Sequence, residues 1–145
     1  MLILGVDLSL KRSGLVWYDS ARNRVVQHKA VRVHGKTLAE AKAIFADALF
    51  PVSDIDLAVV EQAIYRSLND TNAIFRLVLE LYGVEYEVVH PKTVKKFIAG
   101  SGSADKDVVA KVLKKRYKIH FDDDPGNDLS DAAALAIYGL EHHDG

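Results

Sequence analysis

Four carboxylates in this 145-residue chain stand at positions where charge is costly to keep. Asp7 follows the apolar run Leu2-Ile3-Leu4-Gly5-Val6, and Glu61 follows Asp56-Leu57-Ala58-Val59-Val60. Each run reads as a strand covered on both faces. Each acid then lies partly out of water at a strand end, where open sheets gather their ligands. Asp128 and Asp131 open an Ala-rich stretch. Three residues apart on a helix puts both on one face, in the first turn, where the helix dipole also favours negative charge. The small apolar residues at 132–137 suit close packing on a sheet, which would bring this pair to the strand ends. Four converging carboxylates repel one another unless a divalent cation lies between them, and oxygen-only ligands suit Mg²⁺ or Mn²⁺. Two such ions about 4 Å apart activate a water and stabilise the leaving oxygen in phosphodiester hydrolysis. The alternative reading makes Asp7 and Glu61 turn caps, and Asp128 and Asp131 an N-cap acid and a first-turn acid.

The elements that must position these groups follow from the pattern. Strands are expected at 2–6, 14–18 and 24–33, joined by short polar links as an antiparallel meander. Thr37-Leu38-Ala39-Glu40 is a capping box that opens a helix to about Leu49, stopped by Pro51. A fourth strand is expected at 56–60. Asn69-Asp70 is expected to cap a helix to about Tyr82, followed by a fifth strand at 85–89 and a short helix at 91–98. After the loop Gly100-Ser101-Gly102-Ser103, residues 104–117 carry Val108, Val109, Val112 and Leu113 at helical spacing. A turn at 122–126 precedes a helix at 128–140, and His142 and His143 read as a short tail. This order predicts an α/β fold, a mixed sheet with helices packed on it, in a single domain spanning 1–145.

The absence of Cys excludes a disulfide framework, a Cys-based zinc site and a thiol nucleophile. No apolar run reaches the roughly 18 to 20 residues that span a bilayer, and no signal peptide is evident, so a cytoplasmic protein with no membrane partner is expected. A net charge of −1 argues at first sight against a polyanion partner. Its distribution reverses that. From Lys92 to Lys118, nine Lys and Arg stand against two Asp, whereas the residues after Lys118 hold seven acids and no Lys or Arg. A basic block suits a polyanion and an acidic one suits cations, although a solvated helix face beside an acidic loop has the same pattern. The Gly-Ser loop could let backbone amides approach a phosphate, or be a plain linker. It lacks the Gly-Lys-Ser/Thr ending of a P-loop, so no nucleotide cofactor is expected.

Leu4-Gly5-Val6-Asp7, Ser13-Gly14, Val60-Glu61-Gln62, Val94-Lys95-Lys96, the run at 100–106 and the run at 128–137 occur in the order found in the RuvC family of Holliday-junction resolvases. The chain resembles that family over most of its length. The resemblance implies an RNase H-like fold, with a three-strand antiparallel meander plus two parallel strands flanked by helices. It also implies a homodimer that cuts four-way DNA junctions with Mg²⁺ or Mn²⁺, two ions per active site. By position, Asp7, Glu61, Asp128 and Asp131 match the family's metal-binding tetrad, and Lys95 and Lys106 match its basic residues beside the scissile phosphate. Tyr65 stands one position from the family's crossover aromatic, with Ile64 in the matching place. Leu8-Ser9 replaces the usual Pro-Gly after Asp7, with Lys11-Arg12 beyond, so the local backbone is expected to differ there. The length is that of phage-type members.

The nucleic-acid contacts expected on this basis are Lys11, Arg12, Tyr65, Arg66, Lys92, Lys95, Lys96, Ser101, Ser103, Lys106 and Lys111. The lysines would neutralise phosphates in a salt-sensitive, sequence-independent way. Tyr65 would stack on an unpaired base, or lie half-buried against the next helix. That helix, with Ile74, Phe75, Leu77, Val78 and Leu81, is apolar nearly all round and offers a dimer surface. The expected function is a structure-selective endodeoxyribonuclease. The rival readings are a nuclease of the same fold acting on RNA or on other branched or flap DNA, and a catalytically silent nucleic-acid-binding or scaffold protein.

Overall fold

The computed structural model describes residues 1–49 and 54–143. Pro51, expected to end the first helix, lies outside them. Five strands, β1 (Leu2–Asp7), β2 (Ser13–Asp19), β3 (Arg24–Val31), β4 (Leu57–Glu61) and β5 (Tyr86–Val89), form one sheet in the order β3-β2-β1-β4-β5. β1, β2 and β3 pair antiparallel, while β4 lies parallel to β1 and β5 parallel to β4. The expected meander and two parallel crossovers are both present. No helix among the described residues is long and apolar enough to cross a membrane.

Strand alternation divides the apolar residues between two cores. Leu4, Val6, Leu15, Trp17, Ala58 and Val60 face one way, under α1 (Leu38–Leu49) and α2 (Asn69–Leu81). Phe45 of α1 and Phe75 of α2 meet edge to face there, with centroids 5.0 Å apart. Ile3, Val16, Leu57 and Val59 face the other way, under α3 (Pro91–Ala99), α4 (Lys106–Val112) and α5 (Asp128–His142). Asp7 is in phase with Ile3, and Glu61 with Leu57 and Val59. Because Val6 pairs with Val60 in parallel register, the period of two aims both acids at the α5 side and makes them neighbours.

Helix α5 crosses β1 and β2 almost backbone to backbone. A Cβ on Gly5 would lie 1.8 Å from the carbonyl oxygen of Ala132, and one on Gly14 would lie 2.4 Å from that of Asp128. Glycine inside a strand often marks such an approach. The helix buries Ala132, Ala133, Ala134, Leu135, Ala136 and Ile137. Leu135 and Ile137 contribute roughly 1.5–3 kcal/mol each by leaving water. Gly14 pairs with Asp7, so the same approach that seats the helix delivers its first turn to the end of β1.

Several local expectations are corrected. β3 ends at Val31 rather than Val33, and β4 and β5 each begin one residue later than expected. Asn69 and Asp70 do not cap α2. They form its first turn, entered through a 3₁₀ turn at Arg66–Leu68 whose Leu68 amide donates to the Tyr65 carbonyl. The helix expected to run to Tyr117 ends as α-helix at Val112 and widens into a π turn at Leu113–Tyr117. Val108 is 41% exposed; Val109 and Leu113 are buried, and Val112 and Tyr117 pack partly buried against the same core. His142 is no tail. It is the last residue of α5 and stacks on Tyr138 at 4.0 Å. The capping box is present as read, with Glu40 N donating to Thr37 Oγ1 at 3.1 Å and Thr37 N to Glu40 Oε1 at 3.0 Å.

Candidate active site

Asp7, Glu61, Asp128 and Asp131 line one open cleft of about 460 Å³ at the carboxyl ends of β1 and β4. Lys92 and Lys95 of α3, Lys106 of α4, Ser103 and Tyr65 line it with them. Lys11, Arg12, Arg66, Lys96, Ser101 and Lys111 do not. The Arg12 guanidinium donates to the Asp123 carbonyl at 3.4 Å, and Ser101 Oγ lies 3.0 Å from Ser103 Oγ and accepts from Ser103 N, so Ser101 shapes the loop that presents Ser103. Tyr65 is 64% exposed, which removes the reading that it lies half-buried against the next helix. Ile64 lines the cleft beside it.

Local structure explains why these side chains stand where they do. The turn after Asp7 is held by two serines. Ser9 Oγ donates to the Arg12 carbonyl and accepts from Arg12 N, while Ser13 Oγ accepts from Ser9 N at 3.2 Å. That stapling returns the chain to Gly14, opposite Asp7, with no Pro-Gly. The end of β4 is pinned by buried Asn72, whose Nδ2 donates to the Glu61 carbonyl at 2.9 Å. His90 caps α3 by accepting from Lys92 N at 3.1 Å.

Asp124, which the sequence pattern leaves inside a turn, does the capping that the alternative reading gives to Asp128. Its Oδ1 accepts from Leu129 N at 2.8 Å, and its Oδ2 accepts from Ser130 N at 3.0 Å and Ser130 Oγ at 2.8 Å. It thus satisfies the orphan amides of α5 from outside the helix. Gly126 and Asn127, both with positive φ, let the chain loop back far enough for this. The Asp128 and Asp131 carboxylates are left to face the cleft. An acid just before a Pro-Gly turn and a helix was the available signal, but three consecutive aspartates hid which one would cap.

The electrostatics are those of crowded, partly desolvated acids. Asp7 is 6% exposed, and burial, then Glu61 and Asp131, push its pKa well above the usual carboxylate range. Burial followed by Asp131 pushes Glu61 up to about 7. Burial pushes Asp131 up to about 6 against the pull of Lys106, and it also raises Asp128. The charges of Glu61, Asp131 and Asp128 all act on Asp7, so a proton held there relieves part of the repulsion. Lys106 relieves more. Its Nζ lies 3.2 Å from Asp131 Oδ2 and donates to the Gly126 carbonyl at 3.2 Å. Burial lowers the pKa of Lys106, but Asp131, Asp7 and Asp128 together outweigh it and raise that pKa.

Among the described residues, no group of three or more Asp, Glu or His is spaced to hold a metal ion as the side chains stand. The donor chemistry nonetheless fits a hard divalent cation. The set is all carboxylate oxygen, and its raised pKa values show protons favoured at oxygens that a cation would occupy in their place.

Residues 3–139 match the family model described as crossover junction endodeoxyribonuclease RuvC. The chain is 30% identical to the crossover junction endodeoxyribonuclease RuvC of Rhodopseudomonas palustris (strain TIE-1), over 97% of this chain and 87% of that protein. It is 29% identical to that of Zymomonas mobilis, over 99% and 92%. Among solved structures, Thermus thermophilus RuvC superposes with a TM-score of 0.76 at 18% identity, covering 97% of this chain and 93% of that one. The same protein in complex with Holliday junction substrate gives the same TM-score. The fold is RNase H-like.

Proposed function

Because this chain belongs to the RuvC family of crossover junction endodeoxyribonucleases, we propose that it resolves four-way DNA junctions by divalent-metal-dependent hydrolysis, acting as a homodimer whose whole chain forms one nuclease domain. The observation that carries this reading is the meeting of Asp7, Glu61, Asp128 and Asp131, from three separate elements, in one cleft rimmed by Lys95 and Lys106.

The four carboxylates would hold two Mg²⁺ or Mn²⁺ ions. Bound there, the cations supply a more acidic water and charge stabilisation at the 3′-oxygen leaving group. The chain's own residues do the rest. Asp7 and Glu61, fixed by paired strands, hold their geometry through the register of β1 and β4. Lys95 positions the scissile phosphate, and Lys106, already against Asp131, offsets charge that grows in the transition state. Lys92, Lys96, Lys111, Lys11, Arg12 and Arg66, with Ser101 and Ser103, contact flanking phosphates. Tyr65 stacks on a base exposed at the crossover. Leu77, Leu81 and Tyr82, 44%, 61% and 54% exposed on and just beyond α2, supply the apolar surface that a dimer would cover. No nucleotide cofactor takes part. The relatives are bacterial, and the reading places the chain at DNA in the cytoplasm of a bacterial or phage-infected cell.

The test compares four-way junctions, flaps, duplex DNA and RNA with Mg²⁺, Mn²⁺ or EDTA present. Cleavage confined to the junction, lost with EDTA or in Asp7→Asn while junction binding persists, is the expected result. Undiminished cleavage by Asp7→Asn would overturn the mechanism. Preferred cleavage of flaps or RNA would move the substrate within the fold, and no turnover on any substrate with Mn²⁺ would make the chain a binding protein.

A further inference from the structure

A second pocket, of about 290 Å³, lies at the opposite end of the sheet from the carboxylates. Arg24 opens β3 opposite Asp19 of β2, and Asp19 pairs with Leu2, the first residue of β1, whereas Asp7 is its last. Five residue steps put Arg24 about 17 Å along the strand from Asp7. Arg24, His28, Lys118, His120, Tyr117 and Phe121 line it, and no carboxylate does. Asp122 meets His120 from outside the lining, at 3.7 Å. Among the described residues Arg24 makes no ion pair. The ring of His28 stands edge-on to that of Phe121 with centroids 5.1 Å apart, so the aromatic wall is already set.

The backbone here is unusual in two ways. The π turn at Leu113–Tyr117 presents Tyr117 and leads into Lys118, which has a left-handed conformation at φ 59°. Asn23, also lining the pocket, has φ 52°. Two of the four non-glycine residues with positive φ among those described therefore flank one pocket. Such local departures from regular helix and from the commonest backbone regions gather at functional sites. Cations and aromatic rings lining one pocket match the two halves of a nucleotide. A phosphate would sit on Arg24 and Lys118, and a base would stack against Phe121 or Tyr117.

We propose that this pocket binds a phosphorylated nucleoside at a site separate from the catalytic cleft. The ligand is either a nucleotide within a DNA arm or a free mononucleotide. The first source rests on the junction-resolving function and the second does not. The test follows backbone amide resonances of the full chain, without added metal, on titration with dAMP, inorganic phosphate and a single-stranded tetranucleotide. A salt series of junction binding is run on wild type and on Arg24→Gln/Lys118→Asn. Asn keeps the left-handed preference at 118, and a second variant, Phe121→Leu, probes stacking. Shifts at Arg24, Lys118 and Phe121 with dAMP, weakened about tenfold in the double variant, support the site. A salt slope smaller by about 1 in the double variant assigns a DNA arm, since one neutralised phosphate contributes close to one. An unchanged slope with dAMP shifts retained assigns a free nucleotide. Absence of shifts at these residues with dAMP and the tetranucleotide, together with an unchanged slope, would overturn the proposal even if junctions are cut normally.

Discussion

Gly14 leaves the space that the carbonyl oxygen of Asp128 occupies, since a Cβ on Gly14 would stand 2.4 Å from it. Gly14 is also the register partner of Asp7. One missing methyl group therefore sets how near the first turn of α5 comes to the strand-end acid. Gly14→Ala should lower stability by about 1–3 kcal/mol, the usual range for overpacking a tight contact. It should reduce single-turnover junction cleavage by more than that loss of folded protein explains. Urea unfolding and cleavage assays on the same preparation check this, and wild-type cleavage would show that α5 need not sit so close.

Metal-free protein should become less stable as pH rises from about 4 through 7. Asp7, Glu61, Asp128 and Asp131 all have raised pKa values, with Glu61 near 7 and Asp131 near 6. Across that window the folded state holds more protons than the unfolded chain, so the stabilisation is complete below the unfolded values and is lost as pH passes the folded ones. The melting temperature with EDTA should be higher at pH 5.5 than at pH 7.5. Mn²⁺ should raise it at pH 7.5 and progressively less toward pH 5, because cation and protons compete for the same oxygens. A flat profile with EDTA would contradict the crowding of these acids.

Lys106→Met removes the ammonium 3.2 Å from Asp131. Cleavage should fall roughly 10²–10³-fold, the scale of losing one preorganised charge-stabilising group. Junction affinity should change only a few-fold, because many other cations remain. Rates with saturating junction, set against affinities from a gel-shift or anisotropy assay, separate the two effects. A loss confined to affinity would make Lys106 a plain phosphate contact.

Asp124→Ala should cost about 1–2 kcal/mol of stability, as for other lost N-caps, and Asp124→Asn should recover most of it. Cleavage should fall in the alanine variant as the first turn of α5 frays and its acids lose their fixed orientation. Hydrogen exchange at Leu129 and Ser130, whose amides Asp124 accepts, gives a direct readout. Protection unchanged in Asp124→Ala would show that the helix start is held by other contacts.

Much of the layout was legible before any coordinates. The runs at 2–6 and 56–60 declared buried strands, and the spacing of Asp128 and Asp131 declared a shared helical face. Where the reading failed, the competing groups were local and similar. Asn69 and Asp70 looked like caps, yet a 3₁₀ turn begun one residue after Tyr65 supplies the entry to α2. Three aspartates at 122–124 gave no means of choosing the one that caps α5.

Residue chemistry and periodicity alone determined that oxygen ligands would stand at strand ends and at a helix start, beside a basic block. Alternation of period two is a property of each strand by itself, so it needs no knowledge of neighbours. Only the tertiary structure decided that these groups share a cleft. That outcome depends on the parallel register of β1 with β4, and on Gly5 and Gly14 admitting the backbone of α5. It depends also on Asp124 taking the helix amides so that Asp128 and Asp131 face the cleft. Each of these is a contact between residues far apart in the chain or across a turn, and close packing, which no local pattern encodes, selects it.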